Sequence, residues 1–274
     1  MTSPTLSDRL RALFPDASGR SLKQWLESGR VHVNGRVCRD GRATIADVDK
    51  VELAGHGGLR FPRELKLVHE DAAIIVVDKP PGMLSMATER ERARTAYRLL
   101  RDYLEGGRPR GRPFIVHRLD RETSGLLVFA KSPAAKEHLQ AQFEARTVER
   151  VYRALVKGHV RRESGTLESR LVEDRSLRVR ATSGAAGKTA ITRYRVLARG
   201  SATTLLELSL GTGRRRQIRV QLASMEHPIV GDREHGGPAG PFRRLCLHAT
   251  RLGFRHPDTG LAMRFESAAP AAWV

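Results

Sequence analysis

The stretch Phe-Ile-Val-His-Arg-Leu-Asp-Arg-Glu-Thr-Ser-Gly-Leu-Leu-Val-Phe-Ala-Lys, residues 114–131, decides how the rest of the chain is read. Two β-prone runs, 114–116 and 126–130, bracket a polar segment carrying Arg118, Asp120, Arg121, Glu122, Thr123, Ser124 and Gly125, which predicts a carboxylate offered on a turn between two strands. Chemistry at neutral pH needs that carboxylate ionised, and flanking arginines favour the charged form. Taken alone, the same residues also suit an Asp that only closes a turn by bonding its own backbone.

Outward from this stretch, 274 residues suffice for one large domain with a small appendage and a proper core. Lys and Arg number 49 against 30 Asp and Glu, a net charge of +19, and 41 of the 49 are Arg. A field of that sign attracts polyanions, and guanidinium groups suit phosphate contacts and base stacking. Cys38 and Cys246 lie far apart in no metal-ligand spacing, so neither a disulfide framework nor a zinc site is expected. The longest apolar run, residues 72–77, is far shorter than the ~20 residues of a membrane helix. The N-terminus lacks a basic start followed by an apolar stretch, and a soluble cytoplasmic protein with no membrane association is expected.

Upstream, Leu6, Leu10, Leu13 and Phe14 fall at helical spacing with Ser7 and Asp8 as the cap, and a second helix is predicted over 21–28 with Gly29 as its stop. Asn34-Gly35 between 31–33 and 36–38 predicts a hairpin, followed by a strand at 48–53. Glycines and a proline at 55–62 predict a linker. Residues 65–69 and 73–77 read as strands, the second fully apolar and central, ending at Asp78-Lys79-Pro80-Pro81-Gly82-Met83. A helix is predicted over 95–104 and a basic loop over 106–113.

Downstream, Ser132-Pro133 opens a helix reaching about Ala145, and 148–156 alternates as a strand carrying Tyr152. By itself Tyr152 suits a core position as well as a stacking face. Gly187-Lys188-Thr189 lacks the glycine a phosphate loop needs five positions earlier, where Thr182 stands, so no nucleotide cofactor is expected there. A loop into a strand at 190–197 is predicted instead. A strand at 205–210 runs into Gly-Thr-Gly-Arg-Arg-Arg-Gln-Ile-Arg-Val-Gln-Leu, residues 211–222, whose four arginines suit a solvated phosphate-binding face. His227, His248 and His256 show no metal-ligand clustering, which favours structural roles.

His117-Arg118-Leu119-Asp120 followed by Thr123-Ser124-Gly125-Leu126-Leu127 resembles the catalytic phrase of the RluA-type pseudouridine synthases, enzymes that isomerise uridine in RNA. Lys79-Pro80-Pro81-Gly82, Arg150-Val151-Tyr152-Arg153-Ala154, residues 213–222, 227–232, 247–249 and 256–257 resemble further phrases of that family, in its order. The resemblance implies Asp120 as the catalytic residue, Arg219 as its partner, Tyr152 as a face stacked on the target base, and Arg118, Lys79, Arg214 and Gln217 as substrate-binding residues. Arg216 and Gln221 stand where the family usually has His. The order helix, helix, hairpin and strand, with residues 22–35 and 47–53, resembles the alpha-L RNA-binding module of ribosomal proteins and RNA-modifying enzymes.

The fold expected is therefore α+β: an alpha-L domain at 1–55, a linker at 56–64 and a catalytic domain at 65–274, the last with a central mixed, mostly antiparallel sheet because strands adjoin through turns as often as through helices. The reaction expected needs no cofactor or metal, with Asp120 either attacking the sugar carbon or removing its neighbouring proton. Large-subunit ribosomal RNA is the expected substrate of a monomeric enzyme, with transfer RNA, or a non-catalytic role in RNA binding or ribosome assembly, as alternatives.

Overall fold

The computed structural model describes residues 4–273 except 16, 28–30, 47, 54–60, 88–93, 107–110, 175, 177, 183 and 185. The expected stop at Gly29, most of the expected linker and the middle of the expected loop at 106–113 lie outside the described residues. The chain divides into two units, one of residues 1–61 with 105–110 and one of residues 62–104 with 111–274.

In the smaller unit, helices α1 (Leu6–Leu13) and α2 (Gly19–Glu27) precede strands β1 (Val31–Val33), β2 (Arg36–Val37) and β3 (Val51–Leu53), which form an antiparallel sheet in the order β2-β1-β3. The cap of α1 is Thr5, two residues before the expected Ser7 and three before Asp8. Its hydroxyl accepts from the Asp8 N–H, and the Asp8 carboxylate reaches back to the Thr5 N–H, a reciprocal pair that satisfies two otherwise orphaned donors. Ser18 accepts from the Ser21 N–H at 3.1 Å, so α2 starts before the expected residue 21. Asn34 and Gly35 both adopt left-handed φ, as a two-residue hairpin turn requires. Asn34 then bonds Asp49 (2.8 Å) and the Lys50 N–H (2.9 Å), which shortens the third strand to three residues. Leu6, Leu10, Leu22, Trp25, Leu26, Val31 and Ile45 form the core. Full burial of Leu6 and of Leu10 stabilises the unit by ~1.5–3 kcal/mol each.

The larger unit runs β4 (Lys66–Glu70), β5 (Ile74–Lys79), α3 (Ala96–Gly106, whose last two residues fall to the smaller unit), β6 (Phe114–Ile115), β7 (Ser124–Ala130), α4 (Pro133–Glu144), β8 (Glu149–Lys157), β9 (Ser164–Glu173), β10 (Val179–Thr182), β11 (Lys188–Arg199), β12 (Thr203–Leu210), α5 (Gln217–Ser224), β13 (Leu247–Arg255) and β14 (Ala262–Glu266). Its eleven strands form one sheet, ordered β10-β9-β11-β12-β8-β13-β7-β5-β4, with β14 on β13 and β6 on β7. Only the β13–β7 pairing is parallel among the described strands, so the sheet is mixed and mostly antiparallel and the fold is α+β. β5, expected at the centre, lies next to the edge strand β4. Ile74, Ile75, Val76 and Val77 are nevertheless fully buried, because burial on both faces does not require a middle place in the strand order. From α4, capped by Ser132, Ala135 and Leu139 pack with Ile74, Val76, Leu126, Val128 and Phe254.

Lys188 and Thr189 pair with β9 as part of a strand, Lys188 opposite Leu171, and do not open a helix as a phosphate loop would. Among the described residues no helix is long and apolar enough to cross a membrane.

Candidate active site

The runs 114–115 and 124–130 pair directly, Phe114 opposite Ala130 and Ile115 opposite Phe129, so the polar segment at 116–123 is the connection between adjacent strands and Asp120 rides on it. Its course is fixed on both sides of Asp120. Ser85 Oγ accepts from the Leu119 N–H at 3.0 Å and donates to the Leu119 carbonyl at 2.8 Å. The Arg121 carbonyl accepts from the Gly82 N–H at 2.9 Å and from Lys79 Nζ at 3.1 Å, and Arg121 Nε donates back to the Gly82 carbonyl. Beyond Asp120 the chain enters β7 through Gly125, whose φ is +110° and whose absent Cβ would lie 2.3 Å from the Ala249 carbonyl oxygen. Only glycine permits β7 and β13 to approach so closely there.

Arg219 reaches Asp120 from α5, a helix buried on nearly every side from Gln217 to Leu222. Its Nη1 lies 3.8 Å from Asp120 Oδ2, an ion pair too long to be a hydrogen bond. The closer partner is Asp232: Nε and Nη2 each donate to it at 2.7 Å, and Nη2 also donates to Glu234 at 3.1 Å. The expected pairing of Arg219 with Asp120 is thus the weaker half of a shared guanidinium. Asp232 is 1% exposed, which alone would raise its pKa, but the Arg219 hydrogen bonds and His235 outweigh that and hold it well below the usual carboxylate range. It follows Gly231, whose φ of +82° and close approach to the Arg244 carbonyl likewise leave no room for a side chain.

Tyr152 comes from the middle of the sheet, opposite Leu208 on one side and Ala249 on the other. Burial, with the charge of Asp120 adding and that of Arg150 opposing, pushes its phenol up to about 12, so it is neutral at physiological pH. Asp120, Tyr152 and Arg219 line one cavity of about 350 Å3 together with Arg118, Leu210 and Arg214. Arg118 is exposed at this wall and has no hydrogen-bond or ion-pair partner among the described residues. Arg214 donates from Nε to the Thr189 carbonyl at 3.2 Å and keeps its remaining nitrogens available.

Two of the expected substrate-binding residues are occupied by the protein instead. Lys79 is fully buried, lines none of this cavity, and donates to the carbonyls of Pro80 (2.9 Å), Met83 (2.8 Å) and Arg121 (3.1 Å). Burial pushes it down to about 7 against the pull of Glu122 and Asp120, while three carbonyl acceptors take all three donors of the ammonium. Gln217 reaches the cavity wall, yet its oxygen accepts from Thr212 Oγ1 and the Arg214 N–H, and its nitrogen donates to the Ile191 carbonyl and Thr192 Oγ1. It holds the loop at 211–216 in place and has no amide valence left for a ligand.

The residues at the family's two usual His positions are likewise engaged. Gln221 accepts from Thr192 Oγ1 at 2.6 Å and donates to the Leu167 and Ala190 carbonyls and Ser169 Oγ. Thr192 therefore joins both glutamines. Arg216 takes a left-handed conformation ahead of α5 and pairs with Glu234, and Arg215 pairs with Glu173, so the arginine run is only partly free for phosphates. Of the histidines, His248 bridges Ser124 (2.7 Å) and Ser267 (3.0 Å), His256 contacts Asp71 (3.1 Å), and His227 contacts the Lys157 carbonyl (2.8 Å).

Sequence reasoning missed Ser85, Asp232 and Glu234. Asp232 did carry a signal: an acid directly after the apolar run Pro-Ile-Val-Gly is headed for burial, and a buried carboxylate must find a partner.

Residues 73–224 match the family model described as RNA pseudouridylate synthase. Over 98% of its length the chain is 32% identical to the ribosomal large subunit pseudouridine synthase D of Haemophilus ducreyi, covering 88% of that protein, and over 94% it is 35% identical to the protein of the same name from Pseudomonas aeruginosa, covering 86%. The solved structure of human RNA pseudouridylate synthase domain containing 4 superposes with a TM-score of 0.64 at 21% identity, over 76% of this chain and 90% of that one, a likeness of fold. The chain belongs to the RNA pseudouridylate synthase family, and the reaction it performs is the isomerisation of uridine to pseudouridine in RNA.

Proposed function

We propose that Asp120 is the carboxylate that carries this reaction and that its target lies in large-subunit ribosomal RNA. The reaction breaks the bond from N1 of the base to C1′, turns the base and joins C5 to C1′, with the proton at C5 lost and one gained at N1. Attack on C1′ and removal of the neighbouring sugar proton are both work for a carboxylate, and Arg219 Nη1 lies 3.8 Å from that of Asp120. That distance, in a cavity walled by Tyr152, is the observation that carries the reading. Stacking on the Tyr152 ring holds the detached base while it turns, an interaction that tolerates either orientation. A uridine must leave its stack to enter, and Arg118, exposed beside the cavity, fills or contacts the vacated position.

The choice of RNA is supported by the names of the relatives, which act on the large ribosomal subunit. The smaller unit, two helices followed by a three-stranded antiparallel sheet, supports an alpha-L module that anchors the enzyme to structured RNA. The enzyme works as a cytoplasmic monomer on this reading. The test is to incubate the purified protein with unmodified large-subunit ribosomal RNA and, separately, with transfer RNA transcripts, and to map pseudouridines. Site-specific modification of the ribosomal RNA is expected; modification of transfer RNA alone would overturn the choice of substrate.

A further inference from the structure

Beside the Asp120 cavity, and sharing Tyr152 and Leu210 with it, is a second cavity of about 480 Å3. Four guanidinium groups line it, those of Arg118, Arg146, Arg150 and Arg214, against one carboxylate, Glu144. Several other arginines of the same unit are matched to acids, Arg215 to Glu173, Arg216 to Glu234, Arg219 to Asp232 and Arg251 to Glu149. Arg118, Arg146 and Arg150 have no carboxylate within ion-pair distance among the described residues. Three unneutralised like charges around one hollow are unfavourable unless an anion joins them.

Two local features indicate that the charges are placed there deliberately. Arg150 Nε is enclosed and has no hydrogen-bond partner, and the guanidinium end occupies space that Gly213 leaves free, since a Cβ on Gly213 would stand 2.5 Å from Arg150 Nη1. Arg146 follows the C-cap of α4 with a φ of +59°, its N–H on the Phe143 carbonyl. That position is the one where glycine is free of strain and an L side chain is not, so a guanidinium is kept there at a conformational cost. Of the aromatic groups in its lining, Tyr152 is shared with the Asp120 cavity, and the Phe143 ring has His117 stacked at 4.7 Å and Arg150 at 5.6 Å. Four guanidinium groups against one carboxylate fit an anion.

We propose that this second cavity binds a backbone phosphodiester next to the target uridine, so that the strand is gripped outside while the base enters the Asp120 cavity. The inference rests on the assignment of the Asp120 cavity to uridine. Arg118 and Arg214, which line both cavities, join the two sites.

The test uses the full-length protein and a fluorescent uridine pentanucleotide, with a second version whose internal phosphodiesters are uncharged methylphosphonates. Arg146→Gly removes the guanidinium and also relieves the left-handed strain, so its Tm is expected to equal or exceed that of the wild type. Its Kd for the pentanucleotide is expected to rise 5- to 20-fold, and its dependence of log Kd on log salt to flatten by about 0.7, the loss of one single-strand phosphate contact. Arg150→Gln is expected to weaken binding in the same direction. The methylphosphonate version is expected to cost the wild type more than Arg146→Gly, because that variant has already lost the contact. Wild-type affinity and salt slope in both variants, or an equal methylphosphonate penalty in wild type and Arg146→Gly, would overturn the proposal. Because binding is read without pseudouridine formation, failure of wild-type protein to modify ribosomal RNA would count against the role of Asp120 and its substrate, and not against this site.

Discussion

Arg219 grips Asp232 through two nitrogens at 2.7 Å each and turns only its remaining Nη1 toward Asp120, at 3.8 Å. Asp232 sets the direction of the guanidinium, and Asp120 meets a charge already fixed in place. Asp232→Asn keeps the shape and removes that hold, leaving a buried cation short of its main partner. It is expected to lower stability by ~3 kcal/mol and to lower kcat about tenfold as Arg219 turns away. Urea unfolding and single-turnover kinetics check both; unchanged values would mean that Glu234 and Asp120 alone orient Arg219.

The same pair sets an acid limit. The pKa of Asp232 is depressed in the folded state relative to an unfolded value near ~3.9, so its contribution is fully present above about pH 4 and is lost as pH falls through the lower folded value. Between about pH 4 and pH 2 the wild type is expected to lose more stability than Asp232→Asn, because only the wild type takes up that extra proton on unfolding. Parallel stability curves over this window would contradict the assignment.

Lys79 separates a positioning role from a binding one. Its ammonium ties Pro80, Met83 and Arg121 together one residue from Asp120. Lys79→Met is expected to lower kcat by up to ~10²-fold through a shifted Asp120, with KM changed little. A rise in KM at constant kcat would instead restore the substrate contact expected from sequence.

Tyr152 is expected to act through its ring. Tyr152→Phe keeps the face and most of kcat/KM, and its pH profile follows that of the wild type past about pH 10, where an ordinary phenol would titrate, since burial holds Tyr152 near about 12. Tyr152→Ala loses ~1–3 kcal/mol of stacking, about 5- to 150-fold in kcat/KM. A large loss in Tyr152→Phe would assign the work to the hydroxyl.

What was legible before the fold was known follows a physical pattern. The pairing of 114–115 with 124–130 was readable because apolar β-prone runs flank a polar turn, and the Asn34-Gly35 hairpin because only that chemistry suits its φ angles. Helix α5 carries no apolar stripe to read, since Arg219, Gln217 and Gln221 are buried along with Ile218 and Val220. Strand β9 was missed because most of its residues are exposed or half-exposed and it lacks an apolar run. For Lys79 and Gln217 the residue type is legible and the direction is not: residue chemistry does not reveal whether an ammonium or amide faces the cavity or the backbone behind it.

The Asp120 carboxylate, facing Arg219, is proposed to carry the isomerisation. The most direct measurement is pseudouridine formation by purified Asp120→Ala on unmodified large-subunit ribosomal RNA, with RNA affinity measured on the same preparation. The expected result is no detectable pseudouridine while Kd stays within a few-fold of wild type; modification at the wild-type rate would contradict the account.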